Sequence, residues 1–164
     1  MKLNLTDKIL VGRSEWCGLP ELNIPLIKAK IDTGAKTSAI HAFDICSEII
    51  NQQHVVNFKV HPLQGNTKIT VACQALMVDE RHIMSSNGHK EHRYIIMTDI
   101  KLGEHIYNVE LSLSNRDPLT FRMLLGREAL NKRMIVDPSL TCRQGKYKRT
   151  TILQLYQASV SGQS

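Results

Sequence analysis

Asp32 stands at the end of an apolar run, Ile24 to Ile31, that is broken only by Lys28 and Lys30. It opens the turn Asp32-Thr33-Gly34-Ala35, followed by Lys36-Thr37-Ser38 and the apolar Ala39-Ile40. A strand that ends on a carboxylate and runs into small and hydroxyl residues suits acid–base chemistry. Gly34 lets backbone approach the carboxylate closely. N–H groups in such a turn can bond a carboxylate oxygen, and the Thr33 hydroxyl can lock the loop. An Asp-Thr-Gly tripeptide also closes ordinary turns, because aspartate is itself a turn former.

A second segment changes the weight of the first. Met123-Leu124-Leu125 is followed by Gly126-Arg127 and then by the helix-favouring Arg127 to Arg133, whose basic residues fall in the last turn. An Asp-Thr-Gly-Ala turn with a downstream Leu-Leu-Gly-Arg resembles the retroviral aspartic protease pattern. The resemblance widens with Leu19-Pro20, the stretch Ala29 to Ala42, Asp79-Glu80-Arg81, Ser85-Ser86-Asn87-Gly88, Leu113-Ser114-Asn115-Arg116-Asp117 and Val136-Asp137-Pro138-Ser139. Together these are similar to a retropepsin-like bacterial family labelled "ATP-dependent zinc protease", over roughly residues 8 to 145.

The resemblance implies an aspartic endopeptidase that hydrolyses peptide or isopeptide-like bonds. Asp32, Thr33 and Gly34 would be catalytic, with Ala35, Gly126, Arg127 and His41 in support. Such chemistry needs two carboxylates sharing one proton. The chain has one Asp-Thr-Gly, and Asp137-Pro138-Ser139 is its nearest second approach. A two-fold homodimer is therefore expected, with Asp32 of each copy at the axis. A flap is expected over the substrate, from about Val78 to Tyr94, with its tip at Ser85, Ser86, Asn87 and Gly88. In the retroviral proteins an aspartate commonly follows Asp-Thr-Gly-Ala and pairs with the arginine. Here that position is Lys36, which leaves Glu15, Asp44 and Glu128 as candidate partners for Arg127.

The family label names zinc, but the residues supply neither an HExxH nor a paired CxxC, and no metal ligand set is expected. His89 and His92 are three apart, which on a strand puts them on opposite faces. No phosphate-cradling glycine loop is present, so any ATP coupling is expected from a partner, with an ATP-grasp ligase implied by the family's context. The alternatives are a non-catalytic peptide-binding module on the same fold, or a metal-dependent peptidase using Asp32 and His41.

The elements that must position these residues read as strands. Val56-Phe58-Val60, Ile69-Val71-Cys73-Ala75 and Val109-Leu111-Leu113 alternate with polar or small residues, and Phe121 to Leu125 is apolar apart from Arg122. Turn signals separate them at Gln64-Gly65-Asn66, Asn87-Gly88, Leu102-Gly103-Glu104 and Gln144-Gly145. The spacing predicts an all-β, acid-protease type of closed barrel with one short helix after the Leu-Leu-Gly-Arg strand. Thr151 to Tyr156 reads as a last strand, and 157–164 as a frayed polar tail.

The 164 residues make one domain, with a core over about 8–156. Hydrophobic residues at 42% exclude a disordered chain, and no apolar run approaches membrane-spanning length. The N-terminus lacks the features of a secretory signal, so a cytoplasmic protein is expected. Cys17, Cys46, Cys73 and Cys142 are widely spaced and read as small buried apolar residues. The net charge is +6, but the basic residues are spread along the chain. The densest group, Lys146-Tyr147-Lys148-Arg149, carries no nucleic-acid motif, so a solvated basic face is expected rather than a nucleic-acid partner.

Overall fold

The computed structural model describes residues 7–84, 88–115 and 120–161. Among them the chain forms strands β1 (Ile9–Val11), β2 (Ser14–Leu19), β3 (Ile24–Ile31), β4 (Ser38–His41), β5 (Phe43–Ile50) and β6 (Gln53–Val60). It continues with β7 (Val71–Met84), β8 (Lys90–Leu102), β9 (His105–Ser114), β10 (Met123–Leu125) and β11 (Met134–Val136). Two α-helices are present among these residues, α1 (Arg127–Leu130) after β10 and α2 (Arg149–Ser161) at the end, and one 3-10 turn spans Pro20–Leu22.

Six strands close a barrel in the order β2-β3-β10-β4-β9-β8, and the pair Gly18–Lys101 joins β8 back to β2. The expected all-β closed barrel is therefore present. From its β8 edge the sheet continues outward through β7, β6 and β5. Inward-facing Leu19, Ile27, Ala29, Ile40, Ile96, Ile100, Leu111, Leu113, Met123 and Leu125 fill one core, as the alternation along each strand requires. Strand β1 pairs parallel with β11 as a separate two-stranded ribbon. Buried Glu15 ties the late segment to β2: its carboxylate accepts the N–H groups of Gly12, Arg143 and Gln144 at 2.8–2.9 Å. A buried charge with three donors is satisfied without a cation.

Several expectations need correction. The Arg127 to Arg133 helix is one turn long, because Lys132 adopts a left-handed φ of 68° and the chain swings into β11. Strand β7 begins at Val71, two residues later than the pattern suggests. Gln144-Gly145 is a bend held by Glu15 rather than a turn between strands. Thr151 to Tyr156 is helical, and α2 runs on through 157–161, the first part of the expected tail. A short apolar run does not distinguish strand from helix. Here Ile152 and Tyr156, four apart, share one helix face and pack with Leu26 and Leu63 against the outside of β3. Of the cysteines, Cys17 and Cys73 are buried, but Cys46 is exposed on the edge strand β5 and Cys142 is only partly covered. Burial pushes the Cys17 thiol up and the Cys73 thiol up to about 12, so both stay protonated and apolar.

The helical assignment has a direct consequence. Ile152→Ala removes a buried contact and is expected to cost about 2–4 kcal/mol in denaturant unfolding. Gln154→Ala is expected to change stability by less than about 0.5 kcal/mol, because position 154 is exposed on the helix. A strand would set 152 and 154 on the same face and give them similar burial.

Candidate active site

Strand β10 lies between β3 and β4, parallel to the first and antiparallel to the second. The turn that joins β3 to β4 must therefore pass over the end of β10. Hydrogen bonds stitch this crossing. The Asp32 N–H donates to Leu125 O at 2.9 Å, extending the β3–β10 ladder by one residue. The first N–H groups of α1, which have no partner inside a helix, donate to the turn instead: Arg127 N–H to Ala35 O at 2.7 Å and Glu128 N–H to Lys36 O at 3.1 Å. Buried Gly126 donates its N–H to Ser38 Oγ at 3.0 Å. A Cβ at Gly126 would lie 2.8 Å from Ala35 O and 2.9 Å from both the carbonyl carbon and oxygen of Thr37. The glycine of the Leu-Leu-Gly-Arg motif is thus required by close backbone approach.

The turn holds its own carboxylate. Asp32 Oδ1 accepts the Gly34 N–H at 3.0 Å, and the Asp32 carbonyl accepts the Ala35 N–H. Asp32 is half-buried while Thr33 and Gly34 are exposed, so the turn presents an open face. A carboxylate fixed from below and open above can meet a second group, a water or a substrate.

Arg127 finds a partner that sequence reasoning missed. Its Nη1 donates to the Thr33 carbonyl at 3.1 Å, so the guanidinium braces the tip of the turn through backbone. None of the three carboxylates considered for this role takes it in the described hydrogen bonds. Glu15 caps backbone amides, Asp44 pairs with Lys59 at 3.3 Å, and Glu128 lies 4.0 Å from Lys36 in an exposed contact worth little. The Lys36 side chain therefore lies nearest Glu128 of α1 among the described ion pairs.

The other candidates divide. Ala35 and Gly126 join Asp32, Thr33, Gly34 and Arg127 in one assembly. His41 sits at the far end of β4 from the turn, opposite Ser114 of β9, and its N–H donates to Arg122 O. Asp137 closes its own Asx turn, with Oδ1 accepting both the N–H and the hydroxyl of Ser139. Those two bonds hold its carboxyl below the usual aspartate range. Among the described residues no group of three or more His, Cys, Asp or Glu side chains gathers to hold a metal ion. The donor set therefore does not fit the zinc of the family label.

The long β7–β8 hairpin rises from the barrel where the flap was expected, with register Asp79–Ile95 through Met84–Lys90. Ser85, Ser86 and Asn87 lie outside the described residues, and Gly88 has a φ of 78° on the returning side. Its polar arms are paired along their length. Arg81 bonds Asp79 at 2.7 Å and reaches Glu110 at 3.2 Å, and Arg93 bonds Glu91 at 2.8 Å. His82 and His92 are cross-strand neighbours on this hairpin, with ring centroids 5.5 Å apart.

A closed barrel with an Asp-Thr-Gly turn laid over a Leu-Leu-Gly-Arg strand defines a retropepsin-like protein. The family model described as "RimB-like: Retropepsin-like aspartic endopeptidase RimB" matches residues 10–147, and the chain belongs to this family. The chain is 45% identical over 149 residues to a "Probable alpha-L-glutamate ligase" of Desulfotalea psychrophila, covering 91% of this chain and 32% of that one. It is 44% identical over 150 residues to a protein of the same name from Shewanella halifaxensis, covering 92% and 33%. It thus spans about a third of the length of the curated relatives it matches. Among solved structures it resembles the crystal structure of a protein of unknown function, Lpg0085 (DUF785), from Legionella pneumophila subsp. pneumophila str. Philadelphia 1. The TM-score is 0.71 at 26% identity, over 83% of this chain and 98% of that one. Among the described residues no helix is long and apolar enough to cross a membrane.

Two measurements check this geometry. Gly126→Ala is expected to lower stability by about 1–3 kcal/mol, because the turn backbone must move aside. In the hairpin, the Arg81 side-chain bond and then the Glu80 N–H hold Asp79 below its ordinary value of 3.8. A depressed aspartate contributes stability above its unfolded pKa that is lost as pH falls through the folded one. Hydrogen-exchange protection of the hairpin, corrected for intrinsic rates, is thus expected to hold from neutral pH to the ordinary aspartate value and to drop only below it. Asp79→Asn is expected to remove that step.

Proposed function

We propose that this chain acts as a homodimeric aspartic endopeptidase, in which Asp32 from each of two copies forms the catalytic pair. The observation that carries this reading is the fixed, outward-open Asp32 turn on a retropepsin-like barrel. Two such turns meeting at a two-fold axis hold two carboxylates close enough to share one proton. The ionised member takes a proton from a water, which attacks the peptide carbonyl carbon. The protonated member donates to the carbonyl oxygen, and collapse of the tetrahedral intermediate expels the amine with a proton from the pair. Thr33 of each copy braces the paired turns, and Arg127 holds each Thr33 carbonyl in place. The β7–β8 hairpin covers the substrate and excludes water.

The name of the curated relatives supports a substrate class. A ligase for α-L-glutamate and a peptidase perform opposing chemistry on acidic peptides. We therefore assign this chain peptides that carry added glutamates, with an ATP-grasp ligase as its functional partner. A net charge of +6 suits such anionic substrates. Lys36, where the retroviral pattern has aspartate, favours a second reading, in which the same fold binds peptide without cleaving it.

Hydrolysis of glutamate-rich and neutral peptides by wild type and Asp32→Asn, from acid to neutral pH and with and without chelator, separates the readings. Asp32→Asn is expected to lower kcat by about 10³-fold or more, independent of chelator. Specific activity is expected to rise with protein concentration as the dimer forms. Chelator-sensitive hydrolysis that survives in Asp32→Asn overturns the mechanism. Peptide binding by both proteins without hydrolysis at any pH points to the binding module.

A further inference from the structure

A charged groove outside the Asp32 turn lies where α2 meets the outer face of β2 and β3. A cavity of about 670 Å³ opens between the β6–β7 loop and the start of α2, bounded by Trp16, Lys68, Tyr147, Arg149 and Ile152. A second cavity of about 330 Å³, more apolar, continues past the same Trp16 and Tyr147 to Lys101 and Leu155. The two rings separate the lobes, 6.4 Å apart and nearly perpendicular at 87°. A Cβ at Gly145 would stand 2.9 Å from the Tyr147 ring, so the bend that Glu15 clamps also seats this aromatic wall.

The charge is one-sided. Among the described residues no acidic side chain lines either lobe. Lys68, Arg149 and Lys101 make no ion pair among the described residues, whereas most charges of the flap arms are paired. Lys28 stands over the Trp16 ring, its Nζ 5.7 Å from the centroid. The indole is thus already engaged by a cation and by a second ring, and a stacked nucleobase would have to displace one of them. An open, two-lobed groove of this size with unpaired cations along an aromatic wall suits an extended chain of carboxylates.

We infer that this groove is a second binding site, which takes an acidic peptide segment with its carboxylates on Lys68, Arg149 and Lys101 and its stems against Trp16 and Tyr147. Trp16 pairs with Lys28 in the β2–β3 register, and Lys28 is four residues before Asp32. That is about 13 Å along the strand, a span that roughly four residues of extended peptide cover. As an exosite for the glutamate-bearing flank of a substrate it rests on the peptidase reading above. As a binding site it does not.

Trp16 is the chain's one tryptophan, so its fluorescence reports this groove directly. The full chain carrying Asp32→Asn is titrated with an oligo-α-L-glutamate peptide, with oligoserine and single-stranded oligothymidylate as comparators. The expected result is a saturable change in Trp16 emission with the glutamate peptide, weakened by salt. Adding Lys68→Glu and Arg149→Glu is expected to weaken it about tenfold or more, at an unchanged unfolding midpoint. In a chain with Asp32 intact, the same double variant is expected to raise KM for peptides with an acidic flank, leaving kcat and neutral peptides unaffected. Saturable binding that the double variant abolishes, with no hydrolysis by wild type, keeps the groove and removes the peptidase reading. Hydrolysis by wild type with a silent Trp16, or with kinetics indifferent to the double variant, overturns the groove alone. Tighter binding of the oligothymidylate than of the glutamate peptide also overturns it.

Discussion

Strand β10 ends at Leu125 between β3 and β4, and the loop joining those two strands has to pass over its end. This crossing is the constraint on which the Asp32 region depends. Leu125 O takes the Asp32 N–H, Gly126 gives its N–H to Ser38, and the first N–H groups of α1 close on Ala35 and Lys36. Each bond pairs a backbone group that the crossing would otherwise leave unsatisfied, which at buried Leu125 and Gly126 would cost about 1–3 kcal/mol each. The turn, the strand end and the short helix therefore form a single cooperative unit. Gly126 is fixed by the closeness of that packing, and the Asp32 carboxylate inherits its position from it.

Arg127 shows how such a unit tolerates a changed charge. A guanidinium offers five donors in a fixed fork and can donate to a backbone carbonyl as well as to a carboxylate. With Lys36 in the turn, a carboxylate at that position is gone, and the Thr33 carbonyl takes one of the freed donors. The brace acts on the tip of the turn through its backbone. Paired charges along the β7–β8 hairpin follow a similar logic, since Arg81 and Arg93 are met by carboxylates on their own strands and Arg81 also reaches Glu110 of β9 across β8. Arms of this kind stay extended in water without an apolar surface to cover.

Charge elsewhere is left open rather than met. On the far side of β3 from the barrel core, α2 and the β6–β7 loop leave cations and two aromatic rings around a groove. Along the chain these residues are scattered, at 16, 68, 101, 147 and 149, and each alone reads as ordinary surface. Barrel closure and the docking of α2 bring them together.

The Asp32 turn was legible in the sequence because turn chemistry is local: an apolar strand, an aspartate, small residues and a distant Leu-Leu-Gly-Arg each carry their own signal. So were β3, β6, β9 and the hairpins at Gly88 and Gly103, where alternation and turn residues sit within a few positions of each other. Features set by distant partners were not. Thr151 to Tyr156 looked like a strand, and only its docking on Leu26 and Leu63 makes it a helix. The partner of Arg127 is a backbone carbonyl, which no side-chain pattern announces. Glu15 seemed a possible ion-pair partner, yet it binds three backbone amides brought to it by residues 12 and 143–144. Residue types and short-range spacing thus determined the fold class and the candidate carboxylate. Which groups that carboxylate rests on, and which charges stay unpaired, were decided by contacts between residues about a hundred positions apart.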